Sequence, residues 1–194
     1  MLISFNHDKI QKIYLFWEAL KLRYVTLTEI YNHRIAQKYL SRSGKAHAIA
    51  CAYHAFKMAK QQNVSVDLAT KAALLHDMGH YTWYKNGKWD YSMYKENDIH
   101  AIKGAERAHK LLIRLGENPK YAKEIAYAIL FHTDSYIEEG FIKRTPIQAI
   151  TKLADELDEE EGGLHHYREI DEDKAKKMIE RLDALVEEEI GKHQ

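Results

Sequence analysis

Apolar residues recur at helical spacing along nearly the whole chain. Ile10, Ile13, Phe16, Trp17, Leu20, Ile30 and Tyr31 mark a stripe across residues 8–40, which predicts one long helix, or two with a bend near Val25-Thr26. Ser41-Arg42-Ser43-Gly44 interrupts the pattern, and a helix over 45–61 follows. Asn63 to Ser65 reads as a turn, with Ser65 capping a helix through Asp77 whose inner face is Val66, Ala69, Ala73 and Leu74. The period returns from Ile99 to Leu115 and stops at Gly116. Asn118-Pro119 starts a helix to about Thr133. Thr145-Pro146-Ile147-Gln148 is a capping box with proline at the first helical position. The helix it opens is expected to run through Asp155 and the acidic stretch 155–161 until Gly162-Gly163 stops it. Asp171 opens a last helix to about Ile190, with Met178, Ile179, Leu182, Leu185 and Val186 inward. Periodicity fails over 80–98, where Tyr81, Trp83, Tyr84, Trp89, Tyr91 and Tyr94 crowd together and Asn86-Gly87 favours a tight hairpin. That stretch reads as a lid or substrate wall, or as a satellite core. The fold expected is an all-α bundle of about six to eight helices. It is one domain over 1–194, with 1–40 as an accessory layer.

Composition agrees with helix, since the chain has two prolines and nine glycines in 194 residues. Its single cysteine, Cys51, rules out an intrachain disulfide framework and reads as a buried thiol within a helix. No run approaches the roughly 20 apolar residues of a membrane span, and Phe5-Asn6-His7-Asp8-Lys9 breaks any leader-like stretch. A soluble, cytoplasmic protein with no membrane partner is therefore expected.

Charge changes the picture by its distribution. The sums balance at 29 basic and 29 acidic residues, which removes the electrostatic argument for a nucleic-acid duplex as partner. Residues 1–63 nevertheless carry ten Lys/Arg against three Asp/Glu, a basic third suited to phosphate groups on a small molecule. The acidic tail is expected to face water.

Candidate chemistry sits where the apolar pattern is broken by imidazoles and carboxylates. His47 lies within Ala46-His47-Ala48-Ile49-Ala50, His76-Asp77 ends Leu74-Leu75, His100 precedes Ala101-Ile102, His132 follows Ile129-Leu130-Phe131, and Asp155 follows Leu153-Ala154. Each should point inward or sit at the edge of the core, where an unpaired polar group is costly. Shared coordination of a metal satisfies all five elements at once. His47, His76, Asp77 and Asp155 suffice for one octahedral divalent ion, and His100 with His132 for a second about 3.5–4 Å away. A nitrogen and oxygen ligand set without thiolate favours iron, manganese, nickel or cobalt over structural zinc.

In ordered spacing and helical context this set resembles the HD-domain superfamily of metal-dependent phosphohydrolases, over about residues 40–160. The resemblance implies that His47, His76, Asp77, His100, His132 and Asp155 are metal ligands, and that a phosphoester or phosphoanhydride, often in a nucleotide, is hydrolysed. Retention of both His100 and His132 points to the two-metal branch. The 29-residue step from His47 to His76, the His132-Thr133 pair and Ala154-Asp155 are similar to bacterial enzymes that split diadenosine tetraphosphate symmetrically. His80 stands where that group usually has lysine.

On this reading Asp77 contacts both ions, which generate the nucleophile from water. His80 is the first candidate for general acid, or else a solvent-facing loop histidine. Lys103 meets a phosphate as a point charge, or is an exposed helix lysine. Asp134 either orients His132 or ends its helix, and His165-His166, after the Gly-Gly break, are expected to be unremarkable. Two alternatives share the ligand set: a mixed-valence di-iron oxygenase, and a non-catalytic regulatory protein that binds nucleotides. The aromatic N-terminal helix serves equally as intrachain packing or as a homodimer seam.

Overall fold

Local signals set most of the element boundaries. In a computed structural model, residues 23–81, 84–85, 88–89, 92, 96–134 and 141–192 are described. The expected helix over 8–22, its aromatic seam and its dimer role therefore lie outside the described residues. Thr26 caps α1 (Leu27–Asn32) in a full capping box with Glu29, so a helix starts at Val25-Thr26. A break, not anticipated, follows at His33. Its Nδ1 accepts from the Ile35 backbone N–H at 3.2 Å and so caps α2 (Arg34–Ser43). A side-chain acceptor in place of a backbone carbonyl is what ends one helix and begins the next.

Gly44 separates α2 from α3 (Lys45–Gln61) with φ +97°, and Ser65 caps α4 (Val66–Leu75). Tyr84–Lys85 (β1) and Lys88–Trp89 (β2) pair antiparallel on either side of Asn86-Gly87, as the hairpin signal predicts. Then come α5 (His100–Leu115), closed by left-handed Gly116, and α6 (Pro119–Leu130), started by Asn118. The Thr145–Gln148 capping box opens α7 (Pro146–Glu156) as expected. That helix does not continue to Gly162, however. The chain turns at Leu157-Asp158, and a 3-10 helix, η1 (Glu161–Tyr167), follows. The Asp158 backbone N–H bonds the Asp155 carbonyl at 2.9 Å in a tighter turn, and the Asp158 side chain leaves the helix toward His47. Asp171 caps α8 (Glu172–Gly191), which buries Ile179, Leu182 and Val186.

The core is continuous and α4 runs through it, with every one of its ten residues buried. It packs against α3 on one side and α6 and α7 on another, while α5 pairs with α6 and α8 crosses α1 and α3. Among the described residues the fold is thus an all-α bundle with a minimal hairpin. No described helix is long and apolar enough to cross a membrane.

Burying α4 whole forces Asp67 and Lys71 inward, and a charge network resolves them. The fully buried Lys71 Nζ lies 2.6 Å from Asp67 Oδ2 and 2.7 Å from Glu117 Oε2. Arg23 bridges Asp67 at 2.7 Å to Asp183 at 2.5 Å. Asp183 in turn accepts the Leu27 and Thr28 backbone N–H groups at the start of α1. Burial alone would lower the Arg23 pKa, but Asp67 and Asp183 raise it above the ordinary value. The network joins the first described residue to α4 and α8, at the end of the bundle away from the histidines.

Candidate metal centre

Five helix ends supply the site. His47 sits in the first turn of α3, and His76 and Asp77 follow the last residue of α4. His100 is the first residue of α5, and His132 lies just beyond α6. Asp155 comes from the last turn of α7. Residues placed at helix ends can turn a ring nitrogen toward a common point without breaking a helical ladder.

The sequence-predicted ligands converge in two groups. His47 Nε2 lies 3.1 Å from Asp155 Oδ1 and 3.6 Å from Asp77 Oδ2. His76 Nε2 lies 3.2 Å and 3.3 Å from the same two oxygens. The two imidazole nitrogens are 3.2 Å apart. Ligand bonds of about 2.0–2.2 Å to one ion place neighbouring donors about 3 Å apart, which these separations match. Across Asp77, His100 Nε2 and His132 Nε2 are 3.0 Å apart and stand 3.7 Å and 3.8 Å from its other oxygen, Oδ1. Asp77 therefore offers one oxygen to each group.

The orientation of the rings carries more than their distances. His76 Nδ1 donates to the Ala73 carbonyl at 2.7 Å, and His132 Nδ1 donates to the Ile129 carbonyl at 2.6 Å. His47 Nδ1 is 2.7 Å from Asp158 Oδ2, and His100 Nδ1 is 2.7 Å from Asp98 Oδ2. With every Nδ1 hydrogen committed outward, neutral rings turn four Nε2 lone pairs into a buried space lined by two carboxylates. Facing lone pairs repel unless a cation stands between them. The residues therefore fit divalent metal.

Without an ion, protons partly substitute. Burial opposes a charged His76, but Asp77 and Asp155 outweigh it and hold its pKa well above the ordinary value. Burial would likewise raise the Asp155 and Asp77 carboxyls, yet His76 beside both holds each well below the usual carboxylate range. Burial, followed by the neighbouring His100 and His76, pushes His132 down to about 3. Cys51 is within 3.6 Å of His47 Nδ1, and burial then the surrounding carboxylates raise its thiol far out of the reactive range.

Other expectations meet different surroundings. His80 Nε2 is 2.9 Å from Asp77 Oδ1, and its ring stacks on His100 with centroids 4.4 Å apart. It thus stands with the second group rather than in a solvent-facing loop. The Lys103 ammonium lies 4.0 Å from the centre of the Tyr81 ring. Asp134 pairs with Arg144 and Lys152, so it does not orient His132. His165 and His166 correct the sequence reading most. The His165 ring is 4.5 Å from that of His47, and His166 Nδ1, held by the Ser43 carbonyl at 2.8 Å, is 3.7 Å from Asp77 Oδ2. Gly44 admits η1 here, because a Cβ on it would stand 3.0 Å from the His166 backbone. No helical period marks η1, so the pair has no sequence signal beyond its two imidazoles.

Close packing also sets the second group. A Cβ on Gly79 would lie 1.7 Å from the His100 carbonyl oxygen, so only glycine lets α5 approach the turn carrying Asp77.

Comparison with known proteins follows this geometry. The family model described as HD domain matches residues 45–160. A Bacillus subtilis (strain 168) protein named "Putative phosphohydrolase YueE" is 65% identical over 167 residues, covering 86% of this chain and 95% of that protein. No solved structure matches the chain.

Proposed function

Because the chain belongs to the HD-domain family and is a metal-dependent phosphohydrolase of a small phosphorylated substrate, we propose that it hydrolyses a phosphoester or phosphoanhydride of a nucleotide at a two-metal centre. Four histidine Nε2 atoms turned inward on both sides of one carboxylate carry this reading. His47, His76, Asp77 and Asp155 would hold one ion, and Asp77, His100 and His132 the other. Iron or manganese suits the mixed nitrogen and oxygen donors best, with nickel and cobalt next. Two divalent ions held there would acidify water and neutralise charge developing on the phosphoryl oxygens.

The chain's own groups set the conditions for that chemistry. The Asp77 carboxylate keeps the two ligand groups in register by offering each one oxygen. His76 and His132 are fixed in the tautomer that presents Nε2. His80, hydrogen-bonded to Asp77 and stacked on His100, is placed either to add a ligand or to deliver a proton to the leaving oxygen. Lys103 over Tyr81 offers a cation beside an aromatic face, a pairing that suits a phosphate next to a base. Diadenosine tetraphosphate heads the candidate substrates, followed by mononucleotides and cyclic nucleotides.

The test is a substrate screen on protein purified anaerobically and reloaded with Mn²⁺, Fe²⁺ or Co²⁺. Metal-dependent phosphate or nucleotide release is expected. Substrate-dependent oxygen uptake without hydrolysis, or nucleotide binding without turnover, would contradict the proposal.

A further inference from the structure

The four inward-facing histidines are held in two ways, and helix polarity explains the division. His76 and His132 lie at the C-terminal ends of α4 and α6, where the last carbonyls have no helical partner. Each simply donates Nδ1–H to the carbonyl three residues back. His47 and His100 lie at the N-terminal ends of α3 and α5. There the free backbone groups are N–H donors, so no carbonyl of their own helix can accept, and the positive end of the helix dipole disfavours a strongly basic imidazole. Both instead reach a carboxylate outside their helix. His47 takes Asp158 at 2.7 Å, and His100 takes Asp98 at 2.7 Å. Each ligand group thus contains one carbonyl-held and one carboxylate-held ring.

Both carboxylates are themselves fixed. Asp158 is largely buried and bonded by the Arg168 guanidinium, which also reaches Glu160 at 3.2 Å. Asp98 accepts the His100 backbone N–H at 2.9 Å as well as its ring. It closes the aromatic stretch whose ends are tied by the Tyr81 hydroxyl donating to the Asn97 carbonyl. The two segments that interrupt the helical period, 80–98 and 157–171, each deliver one of these acids.

Resting on the two-metal reading above, we propose that Asp158 and Asp98 are positioning residues, one for each metal position. Each sets the tautomer and donor strength of the histidine at a helix N-terminus and so sets the affinity of its own position. An outer partner of this kind is worth about 10–100-fold in metal affinity. Asparagine at either position keeps an acceptor oxygen and the shape but removes the charge.

The experiment is a Mn²⁺ titration of metal-free full-length protein, followed by the six-line resonance of the free ion. Wild type is expected to bind two ions, and Asp158→Asn and Asp98→Asn each to weaken one of them by about 10–100-fold. In a His132→Ala background, which leaves the position at His47, Asp158→Asn should still weaken the remaining ion while Asp98→Asn should not. Asp158→Ala, which removes the acceptor oxygens altogether, should weaken the same ion at least as much, and it carries the test if Asp158→Asn does not fold. Two ions bound at wild-type affinity in both asparagine variants would overturn the inference, as would equal weakening by both in the His132→Ala background. A wild type that binds no Mn²⁺ would overturn the two-metal reading itself and this inference with it.

Discussion

Asp77 is the residue on which both metal groups depend, because its two oxygens face opposite ways across the centre. Asp77→Ala should therefore strip both ions, whereas His132→Ala should cost one. Turnover is expected to fall on the order of 10³-fold or more in Asp77→Ala, the scale of losing a central electrostatic contact in the transition state. Elemental analysis beside phosphate release checks both halves of that expectation, with circular dichroism to show that the fold is kept. Cys51 gives a second expectation. Its thiol is fully buried against His47 and held protonated by burial, so it should resist a thiol reagent until the protein unfolds. Rapid labelling of native protein would contradict the packing described. At this scale the sequence was informative wherever an imidazole or carboxylate interrupted an apolar run, as at His47, His76, His132 and Asp155. It was silent where the contact is made by residues in polar surroundings. Asp158 sits in an acidic run, and His165-His166 follow two glycines, so neither carries a period that could reveal its direction.

Elements meet at the centre by close approach, and glycines set how close. Gly79→Ala would drive a Cβ into the His100 carbonyl, so α5 must move and take His100 with it. Loss of the second ion with a partly retained first is expected, measured by metal stoichiometry. On the opposite side of α4, the Lys71 ammonium is enclosed by Asp67 and Glu117 with no exposure. Removing one partner leaves the other charge buried, so Lys71→Met should destabilise by about 3–5 kcal/mol. Lys71→Met combined with Glu117→Gln should recover part of that loss. Chemical denaturation of the single and double variants measures the difference. Caps and turns made most of these elements legible: Ser65, Asn118, Thr145 and Asp171 all start helices where the sequence says they should. Side-chain contacts accompany both misreadings. The His33 ring caps α2 and so divides 27–43, and Asp158 turns to His47 and Arg168 where α7 ends. Apolar periodicity does not register such contacts.

For the molecule as a whole, metal and proton compete for one centre, and folding is linked to both. In the metal-free protein Asp77 and Asp155 raise the His76 pKa well above its ordinary value against the effect of burial. An ion binds the deprotonated ring, so binding should release protons into an unbuffered solution, and affinity should rise with pH. Acidification from pH 7 is expected to weaken Mn²⁺ binding progressively; an affinity that does not change with pH would contradict this. The carboxylates and inward lone pairs also oppose one another until an ion arrives, so loading should stabilise the fold. At a free Mn²⁺ concentration 100 times Kd the gain is about 2.7 kcal/mol, seen as a rise in Tm that a chelator reverses. The architecture follows the same logic, with a helical core holding helix ends in place, while the stretch ending at Asp98 and the segment 157–171 bring Asp98, His165 and His166 to the site. The most direct test of this account is anomalous diffraction from crystals of the protein loaded with Mn²⁺. The account predicts two peaks about 3.5–4 Å apart, one on each side of Asp77. A map with no peak between His47 and His76, or with none between His100 and His132, would contradict it.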